Sequence, residues 1–463
     1  MKILALLLSL SILVIVHEFG HFFFARLFKT RVTRFYLFFN YKFSILKAKR
    51  FDGKWHFKWF NAKTPEEWEQ YPDNTLFGIG WIPLGGYCDI AGMIDESKTS
   101  KDMESTPQPW EYRSKKAWQR LLIISGGVLV NFVVAMILYV AVLFCWGEAK
   151  LPIKNATMGF DYVEILQEHG FRNGDIVLAV DGEDVPEMAD LVEHLLIDKA
   201  KSVTVMRNNN DTTFLLPADF RKKVLAVVND PEDELFTIRF PFVIKDFVSG
   251  SAAEKAGMQV GDSIVSLNDT ITVTALEFMD KLAGCADMTI DVGFYRNGEL
   301  MSVPVQLDGT AKIGAYLKQP TEIFETYTVE YGFFESIPVG INNGLETLGS
   351  YVKSLKLLFT KEGLSQLGGF GSIGSLFPDD WNWEIFWTLT AFLSIILAFM
   401  NIIPIPGLDG GHMMFTLYEM ITRRKPSDKF LEHAQTIGML ILLVLLIYAN
   451  GNDLFRWISG KFM

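Results

Sequence analysis

The sequence predicts a polytopic α-helical membrane protein, with about four transmembrane helices and two repeated α+β domains inserted between the second and third. Three observations predict it. Of 463 residues, 49% are hydrophobic and 38 are Phe, more than a water-soluble chain usually needs. Four apolar segments stand out, at Ile3–Phe28, Leu121–Trp146, Ile385–Ile405 and about Ile437–Tyr448. Between the second and third, a Gly-x-x-x-Gly-Asp pattern recurs after 87 residues.

The first segment carries no charge from Ile3 to Val16. As a helix it is roughly 39 Å long, enough to cross a bilayer. Only Lys2 precedes it and no small-residue cleavage pattern comes before His17, so an uncleaved span is expected. Inside it lies His17-Glu18-Phe19-Gly20-His21, an H-E-x-x-H motif. Ionisable groups within a membrane span are costly, so they mark a functional site. Two His at i and i+4 share one helical face and can hold one zinc ion, and the Glu between them can act as a base.

The other segments follow the same logic. Leu121–Trp146 is uncharged throughout. Ile385–Ile405 is uncharged and ends in a proline-rich turn, and Ile437–Tyr448 spans only if its flanks contribute. Basic clusters at Lys29–Arg50, Arg113–Arg120 and Arg423–Lys429 all fall on one side of a four-span chain, the cytoplasmic side by the positive-inside rule. Both termini and residues 147–345 then face outward. That insert is acidic, with 32 Asp and Glu against 16 Lys and Arg. The overall charge of −11 argues against nucleic acid as the main partner. Cys88, Cys145 and Cys285 show no paired spacing and read as small apolar fillers.

A catalytic zinc usually takes three protein ligands. The third is sought in Asn401-Ile402-Ile403-Pro404-Ile405-Pro406-Gly407-Leu408-Asp409-Gly410-Gly411-His412. The prolines break the helix there, and Asp409 offers a hard oxygen. Asp409 also reads as a simple helix N-cap, and His412 is the second-ranked ligand. His56, His169, His194 and His433 lie in less suitable settings.

In the insert, Gly170-Phe171-Arg172-Asn173-Gly174-Asp175 is echoed by Gly257-Met258-Gln259-Val260-Gly261-Asp262. Each copy continues into an apolar strand, a turn, a helix-like stretch and a strand closed by a basic turn, at Arg207 and Arg296. Ser251-Ala252-Ala253-Glu254-Lys255-Ala256-Gly257 makes the second copy resemble a bacterial PDZ domain. Such a groove takes a peptide as an added strand, and the same fold serves equally as a steric filter.

Taken together, H-E-x-x-H in the first span, the tandem PDZ-like repeat and N-x-x-P-x-P-x-L-D-G after the third resemble the site-2 protease family of intramembrane zinc metalloproteases, most of all its bacterial regulator-of-sigma-E type. The likeness covers nearly the whole chain. Ile82-Pro83-Leu84-Gly85-Gly86-Tyr87 is similar to the family's membrane-associated β-segment. The resemblance implies one Zn2+ held by His17, His21 and Asp409, with Glu18 as the catalytic base. It implies substrate contacts at Asn401, Asn131, Gly85 and Gly86. It also implies regulated cleavage of a single-span membrane protein, such as an anti-sigma factor already trimmed by an upstream site-1 type protease. The expected setting is the bacterial inner membrane, with lipid around the spans, the active site toward the cytoplasm and the PDZ-like domains periplasmic. The implied layout is residues 1–146 for spans one and two with the β-segment, 147–236 and 237–320 for the PDZ-like domains, 321–384 for a juxtamembrane, amphipathic region, and 385–463 for spans three and four. Within 321–384, Val339–Phe359 reads as an amphipathic helix that lies on the outer surface or packs against the spans.

The chain departs from the family pattern in three places. Gly127-Val128-Leu129-Val130-Asn131 lacks the proline of Gly-Pro-x-x-Asn. Gly369-Phe370-Gly371-Ser372-Ile373 replaces Gly-Pro-Ile-Ser-Ile, and Phe38-Phe39-Asn40 stands at a Gly-Phe-Gly loop. These leave the zinc chemistry untouched and bear on substrate contacts. Two other readings stand beside this one. One is a non-catalytic membrane scaffold binding peptides through its PDZ-like domains, which would gain nothing from Glu18. The other is a membrane metallopeptidase with a Glu as third ligand, against which Leu408-Asp409-Gly410 argues.

Overall fold

The computed structural model describes residues 1–93, 106–188, 191, 193–197, 200–227, 235–248, 250–355, 368–378 and 380–462. The chain divides into two units, one of residues 1–146 with 331–455 and one of 147–330 with 456–463.

In the first unit, helix α1 (Lys2–Leu27) is built from an unbroken Leu- and Ile-rich run without proline. It ends where Lys29 takes a left-handed conformation, φ 55°. Helix α2 (Ala117–Trp146) packs directly on it. A Cβ on Gly20 would fall 2.2 Å from the Gly126 carbonyl oxygen, so the two backbones touch only because both residues are glycine.

Among the described residues, four helices are long and apolar enough to cross a membrane: Lys2–Leu27, Ala117–Trp146, Trp383–Ile402 and Lys429–Leu454. Two differ from the sequence expectation. The third, α4 (Trp383–Ile402), stops before Ile405. Pro404 has no N–H to continue the ladder and holds Ile403 in an extended conformation. The fourth takes up the flanks it needs in order to span, and its helix runs further than they do, unbroken over Asp428–Phe462 (α6). Its polar flanks are good helix formers that an apolar window does not see.

Between α1 and α2 lies a five-stranded sheet, with β1 (Val32–Phe39), β2 (Ser44–Phe51), β3 (Lys54–Asn61), β4 (Leu76–Ile79) and β5 (Ile82–Ile90) in the order β3-β2-β4-β1-β5. Strand β5 is an edge strand, and it packs against α1. Its pairing with β1 jumps from Leu37↔Gly86 to Phe39↔Ile82, so residues 83–85 bulge out of the ladder.

The amphipathic stretch expected at 339–359 is helix α3 (Phe333–Leu355); residues 356–359 lie outside the described part. It packs on α2 through small residues. A Cβ on Gly340 would meet the Val140 backbone at 2.7 Å, and one on Gly344 the Met136 side chain at 2.6 Å. It thus packs against a span.

The second unit carries the repeat. The first copy forms a four-stranded sheet over Ile176–Val180, Glu183–Asp184, Ser202–Arg207 and Asn210–Leu215, around a core that includes Phe160, Phe171, Val203 and Phe220. The second forms its own sheet and core, with Phe242, Ile264, Phe278 and Phe294 inside. The repeat extends to single hydrogen bonds. Arg207 donates from Nε and Nη2 to the two Asp175 oxygens at 2.8 and 2.6 Å. Arg296 does the same to Asp262 at 2.8 and 2.7 Å. Arg207 also reaches the Gly170 carbonyl and Arg296 the Gly257 carbonyl. Each Gly-Asp is thus tied to the basic turn of its own copy by a fork-to-fork pair.

Candidate metal centre

Two turns of α1 and the first residue of another helix make the site. His17 and His21 stand one turn apart, with their ring centroids 4.9 Å from each other. Helix α5 (Asp409–Thr422) begins with Asp409 itself, after the Pro404–Leu408 turn. Its N-cap is Leu408, so Asp409 is not the cap. Gly410 and Gly411 let that turn fold tightly, since a Cβ on either would strike the backbone of residues 402–406. The turn delivers the carboxylate to the histidines. Asp409 Oδ2 lies 3.2 Å from His17 Nε2 and 3.2 Å from His21 Nε2, and the two Nε2 atoms are 3.3 Å apart.

These separations are those of three ligands on one tetrahedral ion. Zinc at about 2.0–2.1 Å from each donor puts the donors ~3.3 Å apart. Asp409 Oδ2 is buried and makes no hydrogen bond within the protein, as expected of an oxygen reserved for a metal. The three residues form the one group of His, Cys, Asp and Glu with this convergence found among the described residues.

Neighbouring groups orient the imidazoles. His21 Nδ1 is 2.9 Å from the Ile123 carbonyl of α2. A carbonyl only accepts, so Nδ1 carries the proton and Nε2 keeps its lone pair for the metal. His17 Nδ1 is 3.2 Å from Asn131 Nδ2. Gly127 lies between these two contacts on α2. A Cβ there would sit 2.6 Å from His17 Cε1 and 2.7 Å from His21 Nε2, so the absence of a side chain makes the room for both rings.

Glu18 faces the edge strand. A Cβ on Gly86 would lie 3.6 Å from Glu18 Cγ. Gly86 therefore lies beside Glu18, whereas Gly85 lies over Phe39. His412 is outside the cluster; it lines a cavity with Tyr112, Arg120, Thr416 and Glu419. Asn401 sits half-buried in the last turn of α4, outside the cluster as well. His56 is stacked on Phe51, ring centroids 3.8 Å apart. Sequence reasoning missed Gly20, Gly126, Gly127 and the Ile123 carbonyl. The adjacent glycines of an otherwise bulky apolar helix were the available signal; the carbonyl had none.

Spans, paired histidines, converging carboxylate and adjacent Glu have the build of a membrane-embedded metallopeptidase. The chain belongs to Peptidase family M50, which it matches over residues 5–61 and 59–445. It is 28% identical to the "Regulator of sigma E protease" of Haemophilus influenzae, over 97% of this chain and 98% of the relative. It is 26% identical to the "Regulator of sigma-E protease RseP" of Escherichia coli, over 97% of each. It is also 26% identical to the "Putative zinc metalloprotease" of Vibrio cholerae, over 98% of each.

Proposed function

We propose that this chain is a zinc metalloprotease that cleaves single-span membrane proteins within the bilayer, as a step of regulated intramembrane proteolysis. The observation that carries the reading is the convergence of His17, His21 and Asp409 to 3.2–3.3 Å. Bound by these three, zinc would polarise the scissile carbonyl and make water acidic enough to ionise near neutral pH. Glu18 follows the ligand His17 in the chain and serves as the base that takes the water proton and returns it to the leaving amine.

A helical substrate hides its carbonyls in i→i−4 bonds and must unwind to be cut. Among the described residues strand β5 pairs on one side alone, with β1, and Gly86 brings its backbone close to Glu18. It holds the unwound segment by main-chain hydrogen bonds, with Gly85 and Gly86 in that strand. Asn401 stands at the end of α4 as a further contact for substrate or unwound backbone.

The regulator-of-sigma-E names of the relatives favour an anti-sigma factor as substrate, first trimmed by a site-1 type protease. The repeat region is read as two PDZ-like domains, 147–236 and 237–320, that exclude untrimmed ectodomains or bind their new ends. A four-span reading with the basic loops on the cytoplasmic side favours a periplasmic setting for these domains at the inner membrane and a metal centre toward the cytoplasm.

Glu18→Gln tests the base. The purified variant keeps its zinc and its fold but does not cut a single-span substrate. Full cleavage by zinc-loaded Glu18→Gln protein refutes the role.

A further inference from the structure

We infer that Asn131 is a positioning residue for His17, setting its tautomer through the side-chain carbonyl, and not a substrate contact. This rests on the zinc reading above. Asn131 is fully buried and is flanked by apolar residues from Val128 to Leu138, where an amide is costly unless it is used. Its Nδ2 stands 3.2 Å from His17 Nδ1, while its Oδ1 is buried with no hydrogen-bond partner.

His17 points Nε2, not Nδ1, at Asp409 and His21. To bind metal, Nε2 must offer a lone pair, so Nδ1 carries the hydrogen. With Asn131 Nδ2 opposite it, an N–H then faces an NH2, two donors at contact distance. The oxygen and nitrogen of an amide have nearly the same shape, and the hydrogen-bond network decides between them. Rotating the Asn131 amide by half a turn places Oδ1 opposite His17 Nδ1. One buried amide atom stays without a protein partner either way, but a repulsive pair becomes a hydrogen bond.

Helix α2 repeats this logic along one face. Ile123, Gly127 and Asn131 follow at i, i+4 and i+8. The Ile123 carbonyl accepts from His21 Nδ1 at 2.9 Å, Gly127 clears room for both rings, and the Asn131 amide, 3.2 Å from His17 Nδ1, accepts from it once its oxygen is turned toward the ring. Acceptor, gap and acceptor thus match two imidazoles one turn apart. The rung is held in place from behind, since Ser394 Oγ of α4 donates to the Asn131 backbone carbonyl at 2.8 Å.

The test is zinc affinity, measured on the full-length protein in detergent by competition with a chromophoric chelator. The visible spectrum of the Co2+-loaded protein serves as a second readout. Asn131→Leu keeps the volume and removes the acceptor; its zinc binding weakens about 10–100-fold and the cobalt bands change. Asn131→Asp keeps an acceptor and restores affinity to within a few-fold of the parent. If the leucine variant does not fold, Asn131→Ser removes the reach of the acceptor while keeping a polar residue, and the same loss is expected. Leucine or serine protein that binds zinc like the parent yet cleaves poorly overturns the inference in favour of substrate contact. An Asn131→Asp protein as weak as the leucine variant overturns it too. His17→Ala run in parallel separates the two levels, because unchanged zinc binding there refutes the metal site itself.

Discussion

Asp409 Oδ2 lies 3.2 Å from His21 Nε2, although the two residues stand near opposite ends of the chain. The contact depends on a two-proline turn that ends one helix and starts the next with the carboxylate in its first position. His412, three residues on, lines a cavity with Tyr112 and Arg120 instead. Asp409→Ala is therefore expected to lose zinc in elemental analysis of the purified protein, and His412→Ala to retain it. The reverse pattern makes His412 the ligand.

Gly127 gives a steric prediction. A methyl group there would press on both imidazoles at 2.6–2.7 Å. Gly127→Ala should weaken zinc binding by at least about tenfold, as displaced ligand support typically does. Gly349, on α3 and facing open space, is the control: Gly349→Ala leaves zinc untouched.

The packing of α3 predicts a graded series. Gly340→Ala meets Val140 backbone, which cannot move aside, and overpacking of that kind costs ~1–3 kcal/mol. Gly344→Ala meets the flexible end of Met136 and is tolerated. Hydrogen exchange of residues 333–355 should rise in the first variant and stay near the parent in the second. Equal protection in both would show that α3 does not rest on α2 through Gly340.

The Asp262–Arg296 pair predicts an acid dependence. Burial pushes the Asp262 carboxyl up, but the Arg296 guanidinium and the Gln259 backbone N–H outweigh it and hold its pKa below the usual carboxylate value. A carboxyl depressed by folding contributes stability that is complete above its unfolded pKa, about 4, and is lost as pH falls through the folded value. Hydrogen-exchange protection of residues 242–317 should therefore decline as pH drops below about 4. Asp262→Asn should cost ~2 kcal/mol at neutral pH and flatten that decline. A variant with the parent's acid profile would assign the sensitivity to other carboxyls.

Much of the fold was readable because its signals are local. Runs such as Ile3–Val16 and Leu121–Trp146 announce themselves as apolar helices, and a repeat announces two copies of one unit. The ends were less readable: α4 stops at Ile402 and α6 runs on to Phe462, because a single proline or a polar helical flank outweighs an apolar window. The pairing of Asp175 with Arg207 and of Asp262 with Arg296 was invisible in sequence, although all four residues belonged to the repeat pattern.

The sequence by itself determined the chemistry on offer: two histidines on one helical face, a glutamate between them and a carboxylate after a proline turn. Those are properties of residue type and short spacing, which a helix converts directly into geometry. Tertiary structure decided which carboxylate or imidazole completes the set, and what aims it. Asp409 rather than His412 meets the pair, Gly127 leaves the space, and the Ile123 carbonyl orients His21. Each of these is set by how α1, α2 and α5 pack, and a backbone carbonyl or a missing side chain leaves no mark of its own in a sequence.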